Sequence, residues 1–371
     1  MQYKFEQIAT NSTSKKKPTD EDKDHYIGLE HLDSGCFEIT RWGAEAAPAG
    51  EKLLMKKGDV LFGKRRAYQR KVGIAPFDGI FSAHGMVLRP NEEVIDKDFF
   101  PFFISSDQFM ERAVRISVGG LSPTINWKDL KIQEFSLPSL DEQRILANKL
   151  WSAYRLKESY KRLLTATQEM VKSRFIEMCS NTNNAQSLET VCTTMNKGIV
   201  PKYINSSYSV VINQSCVQWD GQHLEYVKYH DDKVLLNKRE LETGDVLLNA
   251  TGRGTLGRCC IFNRPIDNKH YINDGHVIAL TTDRTTLLPE VLNAFLALND
   301  VQADIYRQYV TGSTNQLDIV FTEIKKMMIP VPNMEEQKQF VAIYKQFDKS
   351  VFEIKKSIEA IDAVIKSLIN G

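Results

Sequence analysis

Near the end of the chain, Phe340, Tyr344, Phe347, Val351, Ile354, Ile358, Ile361, Ile365 and Leu368 alternate steps of four and three with no polar interruption. That spacing is the seam of a heptad repeat. A lone straight helix would drift off the register over such a length, so the pattern predicts a helical partner along a seam of roughly 43 Å at ~1.5 Å per residue. A second stretch in mid-chain supplies it: Leu146, Leu150, Ala153, Tyr160, Leu164 and Val171 occupy matching positions, interrupted by Lys157, Thr167 and Arg174. Leu156, Leu163 and Met170 add a flanking apolar stripe there, which predicts more than one neighbour for this helix. The interface expected between the two helices therefore comprises Leu146, Leu150, Tyr160, Leu164 and Val171 against Tyr344, Phe347, Val351, Ile354, Ile358, Ile361 and Ile365. Each helix opens on a cap followed by acids: Ser139 with Asp141-Glu142-Gln143, and Asn333 with Glu335-Glu336-Gln337. Glu142 and Glu336 stand three residues after their caps, as a capping box requires, and carboxylates suit the positive end of the helix dipole.

Ahead of each long helix the pattern shortens to strand-like runs. Val72-Gly73-Ile74-Ala75 and Met86-Val87-Leu88 in the first half answer Cys259-Cys260-Ile261-Phe262 and His276-Val277-Ile278-Ala279-Leu280 in the second. Helical spacing returns over residues 97–114, through Phe99, Phe102, Phe103, Phe109 and Met110, and over 289–309, through Val291, Leu292, Phe295, Leu296 and Ile305. The two halves also share landmarks in the same order. Phe5-Glu6-Gln7-Ile8 with Pro18 matches Leu188-Glu189-Thr190-Val191 with Pro201; Gly58-Asp59-Val60-Leu61 matches Gly244-Asp245-Val246-Leu247; Leu137-Pro138 matches Val331-Pro332. Their offset grows along the chain, as loop insertions in a second copy would make it, so the chain reads as a tandem duplication. The expected fold class is α+β: mixed modules over 1–138 and 181–332, each followed by a long helix, 139–180 and 333–371. Twofold pseudo-symmetry of that kind suits a partner with a twofold backbone, of which DNA is the commonest.

Composition narrows the class. With 371 residues and 42% apolar content there is enough material for ordinary cores. No apolar leader and no apolar run of ~20 residues stands in the sequence, so a soluble cytoplasmic protein is expected. The 6 cysteines (Cys36, Cys179, Cys192, Cys216, Cys259 and Cys260) form no CxxC pair, which points to buried reduced thiols rather than zinc ligands. A net charge of +1 gives no global sign of nucleic-acid binding. Local clusters do: Lys15-Lys16-Lys17, then Lys64-Arg65-Arg66 and Arg70-Lys71, with a sparser Arg253, Arg258, Arg264 and Lys269 later.

After each Gly-Asp-Val-Leu comes a polar loop between strands. In the first, Lys64, Arg65, Arg66, Tyr68, Gln69, Arg70 and Lys71 offer donors to phosphates, with Arg suited to guanine and Gln to adenine. In the second, Asn249, Thr251, Arg253, Thr255 and Arg258 stand among glycines, but no Gly-Lys-Ser/Thr follows, which excludes a nucleotide-binding P-loop. A solvated hairpin explains either loop alone; a cation-bearing loop at the same place in both copies favours DNA contact. Ser122 and Thr124 with Asn126, and Ser313, Thr314 and Asn315, lie before the last strand of each module and could donate to phosphates or close turns. His84 and His276 sit beside Gly85 and Gly275 and read as structural. Catalytic residues and metal ligands are expected to be absent: no methyltransferase tetrapeptide beside a Gly-rich loop, no His/acid cluster and no Ser or Cys triad signature appears.

These motifs, in order and twice over, resemble the specificity subunit of type I restriction-modification systems across the whole chain. Its carriers are Gly58–Leu61, residues 132–138 and Asp141-Glu142-Gln143 in one copy, with Gly244–Leu247, residues 328–332 and Glu335-Glu336-Gln337 in the other. The resemblance implies two target recognition domains, each reading half of a split asymmetric DNA sequence, joined by two long helices in an antiparallel coiled coil that docks methyltransferase subunits. It also implies that S-adenosylmethionine, ATP and magnesium are bound by partner methyltransferase and restriction (nuclease/translocase) subunits, none by this chain. Two other readings of the residues stay open: a stand-alone DNA-modifying enzyme, and a coiled-coil scaffold whose modules bind protein.

Overall fold

The structure is a computed structural model describing residues 1–234, 239–313 and 316–370. The chain divides into two compact units, Met1–Lys161 with Lys355–Gly371, and Arg162–Ile354. Each is a mixed α/β module carrying a share of both long helices, α1 (Leu140–Ser180) and α2 (Met334–Asn370).

Unit 1 is organised around an antiparallel sheet of β1 (Ala9–Ser12), β2 (Val60–Phe62), β3 (Val72–Ile74) and β4 (Met86–Pro90), in the order β1-β4-β2-β3. Unit 2 repeats this with β5 (Cys192–Lys197), β6 (Val246–Asn249), β7 (Cys259–Ile261) and β8 (Val277–Thr282), ordered β5-β8-β6-β7. In both, the strand runs anticipated from the apolar clusters are present. Each unit also opens and closes identically. Gln2–Lys4 pairs with Glu134–Ser136, and Ala185–Ser187 with Met328–Pro330, while Phe5–Ile8 and Leu188–Val191 are matching short helices. The duplication read from sequence is a duplication of topology.

A second sheet distinguishes the copies. In unit 1 it runs Lys15–Lys16, Lys52–Met55, Gly79–Phe81, Tyr26–Ile27, whereas in unit 2 the order is Tyr203–Ile204, Lys228–His230, Ser209–Ile212, His270–Asn273. A parallel pair is common to both, but the neighbouring antiparallel strand joins opposite members of it. The chain between Ile212 and Lys228, with its small Val217–Gln218 and Gly221–Gln222 hairpin, is what supplies the different strand.

The Gly-Asp-Val-Leu motif marks a turn into the central strand. Gly58 and Gly244 adopt φ of 90° and 96°, a left-handed region open to glycine at little cost. The aspartates behind them are buried and accept the backbone N–H of Lys56 and Glu242, each at 2.8 Å. Asp59 also takes a bidentate pair from Arg89 at 2.7 and 2.8 Å; Asp245 takes Arg239, 3.1 Å to each oxygen, and the Thr281 hydroxyl at 2.6 Å. Strand register makes Thr281 the counterpart of Arg89, so the second copy keeps its buried carboxylate paired with a cation from another segment. That conserves the neutralisation a buried charge demands.

Both helices expected as single stretches are broken. Residues 97–114 form Phe100–Ser105 and Asp107–Arg115, because Ser106 leaves helical geometry to cap the second piece, its Oγ accepting the N–H of Phe109 at 3.1 Å. Residues 289–309 form Pro289–Leu296, Asn299–Asp304 and a π-turn, Ile305–Tyr309. The apolar periodicity survives each break because both pieces bury the same side in the core.

The capping boxes are formed: Ser139 N–H donates to Glu142 at 2.8 Å and Asn333 N–H to Glu336 at 3.3 Å, each answered by the reciprocal backbone bond. One residue further on, Gln143 and Gln337 are fully buried and tie the first turn of each helix into its module. Gln143 Nε2 donates to the Val94 and Pro138 carbonyls at 3.1 and 3.0 Å, and its Oε1 accepts Asp96 N–H at 2.8 Å. Gln337 donates to Thr286 and Pro332 at 2.9 and 2.8 Å and accepts Leu288 N–H at 2.9 Å.

Within each unit the long helices pair antiparallel. In unit 1, Leu146, Leu150, Trp151 and Tyr154 share a core with Ile365, Leu368 and Ile369 at the other helix's end. Lys157, a polar interruption in the seam, is covered there and bonded to Asp362 of the facing helix. In unit 2, Val171, Phe175 and Met178 pack with Phe340, Val341, Tyr344 and Phe347, the Phe175 and Phe340 rings 5.2 Å apart. Ile354 is buried too, and Tyr160, Leu164, Val351, Ile358 and Ile361 are partly buried, whereas Leu156, Leu163 and Met170 are exposed. Cys216, Cys259 and Cys260 are buried, and Cys36, Cys179 and Cys192 only partly so; none is bridged. Burial pushes the Cys216 thiol up to about 11 and that of Cys260 to about 12, so both stay protonated. No helix among the described residues is long and apolar enough to cross a membrane.

Candidate nucleic-acid interface

The loop between β2 and β3 is closed by Gly63 N–H donating to the Lys71 carbonyl at 2.9 Å. Between them, the buried Ala67 plugs a one-turn 3₁₀ helix, Ala67–Gln69, into the core, which pushes Arg66, Tyr68, Gln69 and Arg70 outward. Both residues flanking the turn are left-handed: Arg66 at φ 55° and Arg70 at φ 51°, the only non-glycine residues so placed among those described. That conformation costs an L-residue with a Cβ roughly 1–2 kcal/mol, and strain of this kind concentrates at functional loops.

Two neighbouring segments hold the loop. The hairpin 118–124 lies against it: Arg66 N–H donates to the Pro123 carbonyl at 2.7 Å, Arg66 Nε to the Ser122 hydroxyl at 3.2 Å, and Arg65 bridges Thr124. On the other side is His84, whose Nε2 lies 3.5 Å from Arg65 Nη1. A guanidinium can only donate, so this imidazole nitrogen accepts. Burial, then the cations Arg65, Lys64 and Lys52, hold His84 below its ordinary value of 6.5 and therefore neutral. Burial and the approach of Lys15 likewise depress Lys64. Lys64, Arg65 and Arg66 thus make one positive cluster, with Ser122, Tyr68 and Gln69 as neutral polar groups around it, whereas Lys15 pairs with Glu51 at 3.6 Å and Lys52 is buried, its Nζ donating to the Gly50 carbonyl at 3.2 Å. Arg70 and Lys71 turn away from it: Arg70 pairs with Asp107 at 2.6 Å, and Lys71 Nζ donates to the Leu29 carbonyl at 2.6 Å.

Unit 2 reproduces the scaffold with different chemistry. Thr251 bridges Asp318 where Arg65 bridges Thr124, and the His276 carbonyl accepts Ala250 N–H at 2.8 Å, one residue before the position from which Arg65 N–H reaches the His84 carbonyl in unit 1. The nearest relations of Thr124 and Ser122 are therefore Asp318 and Gln316. Thr314 and Asn315 lie outside the described residues. Asn249 is fully buried, its Nδ2 donating to the Gln214 carbonyl at 3.0 Å. Thr255 caps its own loop by donating to the Thr251 carbonyl at 2.9 Å. Arg258 is drawn inward, donating to Gln218 at 2.6 Å. Lys197 is bound at 2.7 Å by Asp318, the bridge partner of Thr251, and is neutralised there. Arg253 alone of the loop's cations is exposed and forms no bond among the described residues.

Sequence reasoning missed the two histidines as parts of the site. Their shared position beside glycine after the strand was visible; their contact with the polar loops was not. Nor could it show that the chain around Gln214–Gln218, inserted far upstream, captures Asn249 and Arg258. Among the described residues no three His, Cys, Asp or Glu side chains gather as metal ligands.

The site is thus a polar loop, a return hairpin and a histidine-bearing turn at one end of the central sheet, twice. This makes a class of protein with paired recognition modules on long helices. The family described as the type I restriction modification DNA specificity domain matches residues 5–165 and 211–362, and the chain belongs to it. It is 26% identical over 149 residues to the type I restriction enzyme EcoDI specificity subunit of Escherichia coli, a match covering 40% of this chain and 33% of that one. To the EcoKI specificity subunit of Escherichia coli strain K12 it is 21% identical over 93% of its length and 80% of the relative's. The fold is that of the type I restriction-modification system S subunit from M. genitalium, TM-score 0.58 at 14% identity, covering 100% of this chain and 94% of that one.

Proposed function

We propose that this chain is the DNA-recognition subunit of a type I restriction-modification complex, each unit reading one half of a split, asymmetric target. The observation that carries the reading is the twice-built scaffold of loop, hairpin and histidine turn on equivalent sheets, with the cationic cluster of Lys64, Arg65 and Arg66 in unit 1. Cations there fix the module on phosphates, and the side chains beside them address base edges. The two copies carry different side chains on one scaffold, which suits two unlike half-sites.

Adenine methylation and cleavage belong, in this reading, to partner subunits: methyltransferase subunits that hold S-adenosylmethionine, and restriction subunits that use ATP and magnesium. The chain itself is non-catalytic and works in the cytoplasm. The methyltransferase subunits dock on the apolar side chains left uncovered on the long helices, Leu156, Leu163 and Met170. The pairing of those helices sets the gap between half-sites. The test is to produce the chain with and without methyltransferase subunits and map methylated adenines. A bipartite motif that appears only with this chain is the expected result; turnover of S-adenosylmethionine by the lone chain would refute it.

A further inference from the structure

At the sheet end of unit 2 that carries residues 249–258, most polar side chains are already used inside the fold. Asn249, Thr255 and Arg258 bond to the chain itself and Lys197 to Asp318, which leaves Arg253 and His276 exposed. The ring of His276 has one partner: its Nδ1 lies 2.9 Å from the Thr251 hydroxyl. That hydroxyl in turn receives Gln214 Nε2. The orientation of the Gln214 amide is fixed independently, because the same nitrogen donates at 2.8 Å to the Thr251 carbonyl, which can only accept. Gln214 takes one of the two lone pairs of the hydroxyl, and His276 Nδ1 is the one acceptor its proton meets among the described residues, so that proton bonds Nδ1 and completes a relay from amide to hydroxyl to imidazole. Nδ1 then accepts, and the neutral ring must carry its proton on Nε2, which has no partner among the described residues.

We infer that His276 is a specificity-determining residue of unit 2, presenting Nε2–H as a fixed donor to an acceptor on a base edge in the major groove. Guanine N7 or O6, adenine N7 and thymine O4 are the acceptors available there. Thr251 and Gln214 are positioning residues, since they set tautomer and direction without touching the base. The equivalent ring in unit 1 is used differently: His84 accepts from Arg65 and steadies that cation. This inference rests on the proposed recognition of DNA and adds which residue of unit 2 reads it.

The test uses the full chain with its methyltransferase subunits in a host lacking the modification, the probe being the host genome read by single-molecule sequencing. His276→Ala is expected to lower discrimination roughly tenfold at one base position of one half-site, with the other half unchanged. Thr251→Val, which keeps the shape and drops the hydroxyl, should relax the same position. In long-range ¹H–¹⁵N spectra of histidine-labelled chain, His276 should show the Nε2–H tautomer, and Thr251→Val should mix the two. An unchanged motif in His276→Ala, a uniform fall in methylation without relaxation (a phosphate contact), or an Nδ1–H tautomer in the unaltered chain would each overturn the inference. If His276→Ala fails to fold, Thr251→Val decides by the same readouts. A wild-type complex that marks no motif overturns the parent reading, and this one with it.

Discussion

At the residue scale, Gln143 and Gln337 show how much one amide can organise. Each is buried and satisfies two carbonyls and one N–H with its own side chain. Replacing Gln337 with Leu strands those three groups, and roughly 3 kcal/mol of stability should be lost, read as a lower urea midpoint. The acid-acid-Gln word was visible in the sequence, yet only the capping role of its acids was legible, because a glutamine's partners are set by tertiary approach. Asn249 and Arg258 escaped for the same reason: Gln214 and Gln218, which turn them inward, lie far away in sequence. His84 carries a pH consequence. Its folded value is held below 6.5, so the folded state binds fewer protons than the unfolded one. The contribution it makes is whole above pH 6.5 and is lost as pH falls below 6.5 toward the folded value. His84→Gln should therefore flatten part of the decline in stability between about pH 7 and about pH 5. His31, which burial depresses, adds a decline of the same sign, and His223, raised by its bonds to Glu225 and Asp220, adds one of the opposite sign. Unfolding curves at several pH values for both proteins check this.

At the element scale, the long helices were the most legible part of the chain. A seam of steps four and three needs a partner, and Phe175 on Phe340 shows one found in unit 2. Phe340→Ala should cost about 3–5 kcal/mol and lower the unfolding transition that involves unit 2. A calorimetric trace unchanged from wild type would show that the ring contact adds nothing to that seam. Lys157 looked like a flaw in the heptad until Asp362 was placed opposite it. The helix over residues 97–114 was wrongly expected to be continuous, since periodicity cannot register a break that leaves the apolar side in phase. The second sheets were not legible at all. Their strands are short, and the choice between the two flanks of a parallel pair depends on long-range closure.

For the whole molecule, duplication was the feature the sequence displayed best, and net charge the one that told least. A total of +1 conceals a cluster of cations at Lys64, Arg65 and Arg66 in unit 1 and a nearly neutralised counterpart in unit 2. If Arg65 and Arg66 each neutralise a phosphate, Arg65→Ala with Arg66→Ala should reduce the slope of log affinity against log salt by about 1.8. An unchanged slope in titrations at several salt concentrations would place the DNA elsewhere. Excising one heptad from both long helices removes about 10 Å of rod, so the gap between half-sites should shorten by about three base pairs while the bases read stay the same. Motif mapping would show either that change or altered half-sites, the latter ending the idea of a spacer.

The bonds of Gln143 all run back to Val94, Asp96 and Pro138, and those of Gln337 to Thr286, Leu288 and Pro332. The opening turn of each rod is in that sense the last piece of the module before it. A genetic crossover falling a few codons before either glutamine would split the latch from its mates, and one falling just past it would still part Trp151 and Tyr154 from Asp98 and Phe37, or Tyr344 from Asn293. Exchange between related genes that spares those contacts as well would move each module whole and, on the proposed reading of DNA, carry its half of the target with it.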